Sequence, residues 1–268
     1  MNRPNASVAQ RAPILPLILR RDRLPAVVGL AGVTALAWLY IAWMARAMPD
    51  VGGAAQIVMP MIEPWSVADW LAMVLMWAIM MVGMMLPSAA PMILLYDRVR
   101  ERQEASGTSL AATGVFALGY LIAWTLFSLG AAAAQWALEQ AALLSPMMVS
   151  GSPWLGGGLL IAAALYQWTP LKHACLVRCR SPITFLAHHW RPGNSGALRM
   201  GLRHGLYCIG CCWVLMALLF VGGVMNLLWI ALLALFVLLE KVLPRGELFS
   251  RLSALLLAGA GVLVIAAA

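Results

Sequence analysis

The chain has 268 residues, of which 63% are apolar and only 10% are charged, and its formal net charge is +8. A soluble domain is about 45–50% apolar and about 25% charged, so we expect no water-soluble fold but an all-α, polytopic helical bundle in a lipid bilayer. The basic residues lie mostly in short gaps between apolar runs, which indicates positive-inside loops and argues against a nucleic-acid partner.

The chain begins with a basic segment followed by an apolar span. Residues 1–24 contain five Arg and three Pro and are expected to form a tail, and residues 25–268 are expected to form one transmembrane bundle. The first span is predicted over about 26–44. Ala45-Arg46-Ala47 has the form of a signal cleavage site, but the apolar run exceeds the roughly 7–15 residues of a signal peptide, which favours an uncleaved anchor.

Six more spans bring the predicted number to about seven. A polar stretch at about 170–203 is expected to form a cytoplasmic loop between the fourth and fifth of them. A transmembrane helix needs about 20 apolar residues, and the fourth and seventh predicted spans fit this length least well. The six apolar runs lie at about 68–96, 110–138, 154–168, 204–221, 225–240 and 252–268.

The gaps between spans alternate in charge. The tail and the gaps near 97–109, 171–203 and 241–251 are basic, whereas the others contain no Lys or Arg apart from Arg46. By the positive-inside rule, the N-terminus is predicted in the cytoplasm and the C-terminus outside.

Soft ligands at the start of the fifth span form the strongest candidate site. At about 100° per residue, four side chains share one helical stripe of roughly 100°. Thiolates and imidazoles bind Cu(I) or Zn(II) in preference to hard cations, so the stripe predicts a metal site. The alternative is that the Cys residues are small, inert packing residues. The four residues are His204, Cys208, Cys211 and Cys212.

A methionine stripe in the second span is the next candidate. Seven Met lie within about 180° of one helix between Met73 and Met92. Thioethers bind Cu(I) weakly, but Met is also a flexible packing residue. Pro87 and Pro91 interrupt this span, and such breaks are tolerated where neighbours or a cavity satisfy the freed backbone groups. The central candidate ligands are Met80, Met81, Met84 and Met85.

The polar stretch contains a third candidate. Cys175 and Cys179 are four residues apart, so one helical turn would bring them together, and His173 would complete a cytoplasmic metal-capture site. Alternatively, basic neighbours would lower the thiol pKa and create a redox pair, or both thiols are inert. His188 and His189 are interpreted as solvated or interfacial residues.

The motifs resemble a bacterial family of predicted metal-binding integral membrane proteins, long catalogued as a domain of unknown function. The resemblance covers about residues 65–245, and Asn226 and the Glu240-Lys241 pair fit it. It implies metal binding, most strongly copper, in a polytopic protein of the bacterial cytoplasmic (inner) membrane. The similar blocks are Met76-Trp77-Ala78-Ile79-Met80-Met81 to Pro87, Pro170-Leu171-Lys172 with Cys175, Cys179 and Arg180, and Gly205 to Trp213 with Cys-x-x-Cys-Cys.

The sequence therefore predicts a membrane protein that handles Cu(I) by binding, transfer or delivery, with zinc as the other candidate metal. Its expected partners are the lipid bilayer, the metal ion and a soluble metal-donor or acceptor protein. Two alternatives stay open. One is a membrane metalloenzyme, a copper or non-haem oxidase of an apolar substrate, so enzymatic activity is undecided. The other is a thiol–disulfide electron carrier that uses Cys208 and Cys211.

Overall fold

The computed structural model describes residues 24–47, 65–103, 110–145, 148–243 and 246–268. The predicted basic tail and most of the gap that follows the first span lie outside these residues. The described part is helical except for turns and one isolated β-bridge, so the predicted all-α class is confirmed. Its helices are α1 (Leu24–Ala47), α2 (Val67–Gln103), α3 (Leu110–Gln140), α4 (Pro153–Gln167), α5 (Pro170–Arg180), α6 (Pro182–His189), α7 (Gly193–Ala217), α8 (Leu219–Gly222), α9 (Leu227–Val242) and α10 (Gly246–Ala266).

Five helical segments are long and apolar enough to cross a membrane: α1, α2, α3, α7 with α8, and α10. Large apolar side chains remain exposed on these helices, as expected for faces that contact lipid. The chain therefore has the character of a membrane protein. Helices α4 and α9 occur where the fourth and sixth spans are predicted, but they contain only 15 and 16 residues. Both are shorter than the usual span of about 20 residues, so a total of seven spans stays a prediction.

The stretch predicted as a loop at 170–203 is largely helical. Thr169 caps α5 by accepting a hydrogen bond from the backbone N–H of Lys172 at 3.2 Å, and Pro170 occupies the first turn. Pro182 starts α6 in the same way. Pro suits the first helical turn, where its missing N–H would have no intrahelical partner. Helix α5 is too polar and α6, with eight residues, too short to give the signal of an apolar span, but α5 packs along α7 and α6 along α2.

Glycines on α7 let it pack closely against α3. A Cβ on Gly201 would collide with the carbonyl oxygen of Phe116, and a Cβ on Gly205 would meet the methyl group of Ala123. Two small residues spaced by four place both contacts on one face, the arrangement that lets membrane helices approach backbone to backbone. This contact fixes the part of α7 that carries Cys208.

We expect Gly201→Leu to destabilise the fold strongly, because the new side chain would force α3 and α7 apart. Overpacking alone typically costs about 1–3 kcal/mol, and a backbone collision leaves little room for relief. The measurement is the thermal unfolding midpoint of the detergent-solubilised protein. Gly114→Leu on α3 is the matched control, because no atom lies within 4 Å of a Cβ at that position. Equal midpoints for the two variants would contradict the prediction.

A second close contact joins the short α4 to α10. Gly157 and Gly261 face each other. A Cβ on either glycine would lie 2.8 Å from the carbonyl oxygen of the other, and a Cβ on Gly157 would also collide with the side chain of Ile265. At the end of α4, the buried Gln167 accepts a hydrogen bond from Ser250 at 2.8 Å and donates one to Ser253 at 3.3 Å. The long α10 therefore supports the short helix that leads into α5.

Candidate metal site

Helix α7 carries its predicted ligands on a buried face. The thiols of Cys208, Cys211 and Cys212 are at most 1% exposed, and His204 is 3% exposed. The close approach of α3 holds this stretch of α7 in the interior of the bundle. The structure thus places the four residues of the predicted stripe inside the protein and not toward lipid.

The thiols of α7 are hydrogen-bonded. Cys211 and Cys212 each donate to the carbonyl oxygen of Cys208 at 3.0 Å. The Cys208 sulfur lies close to the thiols of Cys211, Cys212 and Cys179. The S–H groups of Cys211 and Cys212 are therefore satisfied, and the sulfur atoms are concentrated around Cys208.

Helix α5 brings two more thiols to α7. Cys179 lies close to Cys208 and Cys211. Cys175 lies against Gly210, where a Cβ would come within 2.7 Å of its sulfur, so a larger residue at 210 would displace it. All five Cys are free. The two cysteine motifs, at least 29 residues apart in sequence, therefore form one thiol cluster, defined as Cys175, Cys179, Cys208, Cys211 and Cys212.

Basic neighbours predict a lowered thiol pKa on α5, but the structure gives the opposite direction. Hydrogen bonds to Cys208 and Cys211, together with burial, raise the pKa of Cys179 well above its ordinary value. Burial and then the proximity of Cys211 raise the pKa of Cys175, and Arg178 opposes this only in part. Both α5 thiols are therefore protonated near neutral pH when no metal is bound.

A cation and a phenol contact the sulfur of Cys208. The Nζ of Lys241 on α9 lies 2.8 Å from this sulfur and 2.9 Å from the hydroxyl of Ser88. The hydroxyl of Tyr120 lies 3.2 Å from the same sulfur and donates to the carbonyl oxygen of Met85 at 3.1 Å. Helices α2, α3, α7 and α9 therefore meet at one thiol.

The residue before Lys241 forms a buried ion pair. Glu240 is fully buried and forms an ion pair with Lys172, itself 1% exposed, with 2.7 Å between Oε1 and Nζ. Removing one partner of such a pair is strongly destabilising, because an uncompensated charge is left in the interior. Consecutive residues of α9 thus hold α5, through Lys172, and α7, through Cys208. This fixes the two helices that carry the thiols relative to each other.

The two candidate histidines differ in their surroundings. His204 packs against the rings of Tyr120 and Phe185, with centroids 5.8 and 5.5 Å away, and its Nδ1 has no hydrogen-bond partner among the described residues. A buried ring nitrogen with a free lone pair can bind a metal. His173 is exposed and lines a cavity beside α10, whereas Cys175 is buried against α7. The structure does not bring His173 to the thiols.

The methionine stripe is buried next to the thiol cluster. The side chains of Met80, Met81, Met84 and Met85 are at most 2% exposed, and the backbone of Met85 is joined to Cys208 through Tyr120. Burial of this kind is compatible with packing and with metal binding, so the role of these thioethers as ligands stays a prediction.

The donor set suits a soft cation, although the ligands are not yet arranged around one. Among the described residues, no three His, Cys, Asp or Glu side chains have the arrangement of a metal site. The reason is local, since Cys211 and Cys212 point to the carbonyl oxygen of Cys208. Deprotonation and rotation of these thiols would free them for a metal, and thiolates prefer Cu(I) and Zn(II).

Two residues at the site give little signal in the sequence. Lys241 falls in a basic gap and counts there only as a positive-inside charge, and Tyr120 falls in an apolar run. The one available signal for Lys241 is the Glu240-Lys241 pair at the end of an apolar helix, because charged residues near the membrane interior usually have a functional or structural partner.

Comparison with known proteins supports a role in copper handling. The model of the PpoB2 family, described as copper chaperone, matches residues 74–264. This range includes the methionine stripe from Met76 onward, all five Cys and Lys241. No curated protein and no solved structure matches the chain.

Proposed function

The chain belongs to the PpoB2 family of copper chaperones, and on this premise we propose that it binds Cu(I) within the bacterial cytoplasmic membrane and transfers it. The observation that carries the proposal is the contact of Cys179 on α5 with Cys208 and Cys211 on α7. Thiols from two helices can supply the two or three sulfur ligands that a Cu(I) ion requires. A single Cys that only fills space in the packing could not.

Charge balance favours Cu(I) over Zn(II). Cu(I) held by two thiolates carries one net negative charge, and the Nζ of Lys241, 2.8 Å from Cys208, would neutralise it. Zn(II) on the same two thiolates is neutral, so the lysine would leave one net positive charge. Uncompensated charge is costly in a low-dielectric interior, so a bis-thiolate site beside Lys241 suits the monovalent ion.

The methionine stripe provides weaker ligands next to the thiol cluster. Thioethers are neutral and bind Cu(I) less tightly than thiolates. In the proposed carrier, an ion would pass between Cys208 and the thioethers near Met85 without being trapped at either. A soluble donor or acceptor protein would exchange the ion at the α5 side, where Cys179 is half-buried.

The test is the copper content of the purified protein. The wild-type protein should retain one tightly bound Cu(I) after dialysis against a moderate Cu(I) chelator, and the variant with Cys208, Cys211 and Cys212 changed to Ser should lose it. Elemental analysis gives the stoichiometry. A variant that folds normally and retains the tight ion would overturn the proposal.

The orientation of the bundle is a second expected result. The alternation of basic and non-basic gaps predicts that reporter fusions after Gln103, Ser145 and Asn194 lie inside, outside and inside the cell, respectively. Activities of a cytoplasm-specific and a periplasm-specific reporter at each position give the measurement. A cytoplasmic result at Ser145 would contradict the predicted topology.

The contacts among Cys179, Cys208 and Cys211 also suit a thiol–disulfide electron carrier, which is the second candidate function. In that case two thiols would form a disulfide while giving up two electrons and two protons to an oxidant. The proposed copper carrier instead keeps its thiols reduced, as is usual on the cytoplasmic side.

We therefore expect the same mass shift when native membranes are treated with a thiol-alkylating mass tag before or after chemical reduction. The shift should correspond to five free thiols in both cases, as in the structure. A larger shift after reduction, abolished by Cys208→Ser or Cys211→Ser, would favour the electron carrier.

An oxidase of an apolar substrate has less support. A cavity of about 510 Å³ lies beside α5, but none of the Cys lines it. The cavity therefore does not join an apolar substrate to the thiol cluster.

A further inference from the structure

A buried amide lies at the end of α2 and α3 away from the thiols. The Nε2 of Gln135 on α3 donates to the Glu139 carboxylate at 2.8 Å and contacts the sulfur atoms of Met148 and Met73 at 3.3 and 3.6 Å. Its Oε1 accepts a hydrogen bond from the indole of Trp77 at 2.8 Å. The side chain of Gln135 is fully buried.

Three acceptors thus converge on a nitrogen that has two hydrogens. Because the Trp77 indole holds the oxygen of Gln135, the amide cannot turn over to relieve this excess. The acceptors come from three different parts of the chain: Met73 from α2, Glu139 from α3 and Met148 from the connection between α3 and α4. Two thioethers around one point are ligands for a soft cation such as Cu(I), and the carboxylate beside them supplies a compensating negative charge.

The surrounding backbone and side chains hold these groups in place. Met148 has a left-handed backbone conformation, with φ of 56°, and its side chain is only 8% exposed. The second carboxylate oxygen of Glu139 accepts from the indole of Trp65 at 3.1 Å, which directs the first toward Gln135. The ring of Trp65 packs on Trp70, 5.1 Å between centroids, as in the aromatic belts of membrane interfaces.

We propose that Met73, Met148 and Glu139 form a second, weaker Cu(I) site at the opposite end of the methionine stripe from the thiol cluster. The amide nitrogen of Gln135 lies between these groups when no ion is bound, and the side chain would move aside as the ion binds. The inference rests on the proposed copper function for the identity of the cation. By the topology above, the site lies on the outer side, where an ion would leave or enter.

Charge and spacing agree with such a role. One Cu(I), one carboxylate and two neutral thioethers make a neutral complex, so the half-buried site needs no further counter-ion. Met73 and Met85 are twelve residues apart on α2, which is about 18 Å along the helix axis. The thioethers between these two ends are Met76, Met80, Met81 and Met84, all buried.

The experiment uses the full-length protein with all five Cys of the thiol cluster changed to Ser, so that the tight site is absent and no thiol competes for the ion. This protein is titrated with Cu(I) in competition with a weak chromogenic chelator. It should bind one Cu(I), and Met73→Leu, Met148→Leu or Glu139→Gln should each weaken that binding at least about tenfold, the lower end of the range for losing even a partner outside the first coordination shell. Leu is similar to Met in volume, so the fold should be retained.

Met200→Leu is the matched control, because Met200 is buried on α7 and lies outside the stripe. If the thiol-free protein binds no Cu(I) while the wild-type protein retains its tight ion, the second site does not exist and the proposed function stands. If Met73→Leu and Met148→Leu bind as tightly as Met200→Leu, the weak ion lies elsewhere and the inference fails. If neither protein binds Cu(I), both proposals fail.

Discussion

Replacing Cys211 with Ser is expected to weaken Cu(I) binding by more than about 100-fold, beyond the usual effect of losing a partner outside the first coordination shell. Met81→Leu is expected to change the affinity by less than about tenfold, which corresponds to about 1.4 kcal/mol. The difference follows from the ligands, since a thiolate binds Cu(I) more strongly than a thioether and neighbouring Met can replace one another. Cys211 is also in contact with Cys179 and therefore joins the two halves of the thiol cluster.

The measurement is competition with a high-affinity chromogenic Cu(I) chelator, carried out on both single variants and the wild-type protein. The two variants are well matched, because Cys211 and Met81 are both 0% exposed and both changes are therefore made in the interior. Thermal unfolding of each variant separates loss of ligand from loss of fold. A greater loss of affinity in Met81→Leu than in Cys211→Ser would move the primary site from α7 to α2.

The stripe on α7 could be predicted because it depends only on the geometry of one helix. Residues four apart on a helix share a face whatever the helix packs against, so Cys208 and Cys212 had to lie together. The long helices were predictable for a similar reason, since hydropathy and length are local properties. The predicted starts and ends of α3 and α9 lie within two residues of those observed.

The contact between α5 and α7 could not be predicted, because it depends on packing between distant parts of the chain. The segment 170–180 is short and basic, and its sequence alone predicts a loop. In the structure, Gly210 leaves the space that Cys175 occupies, and the Lys172–Glu240 ion pair holds α5 in place. Neither contact has a periodic signal in the sequence. Gln135 and Met148 likewise give no sequence signal of a site, because their contacts join distant parts of the chain.

Replacing Lys241 with Met is expected to weaken Cu(I) binding about 10–100-fold, although Lys241 is not a ligand. Its Nζ lies 2.8 Å from the Cys208 sulfur and offsets the net negative charge of a bis-thiolate Cu(I) complex in a low-dielectric interior. The same loss should favour Zn(II), because a bis-thiolate Zn(II) complex is neutral and no longer has a cation beside it. We therefore expect the preference for Cu(I) over Zn(II) to fall further than the Cu(I) affinity itself.

This change in preference separates an electrostatic role of Lys241 from a purely structural one. Competition titrations with Cu(I) and Zn(II) on the same preparations give both affinities. Lys241→Arg keeps the positive charge and should keep most of the preference for Cu(I) over Zn(II). Ser88→Ala removes the other hydrogen-bond partner of Lys241 and should leave this preference almost unchanged. A misfolded site would bind both metals more weakly. An equal loss of Cu(I) and Zn(II) affinity in Lys241→Met would therefore show that the lysine supports the packing of α9 and does not select the charge of the bound ion.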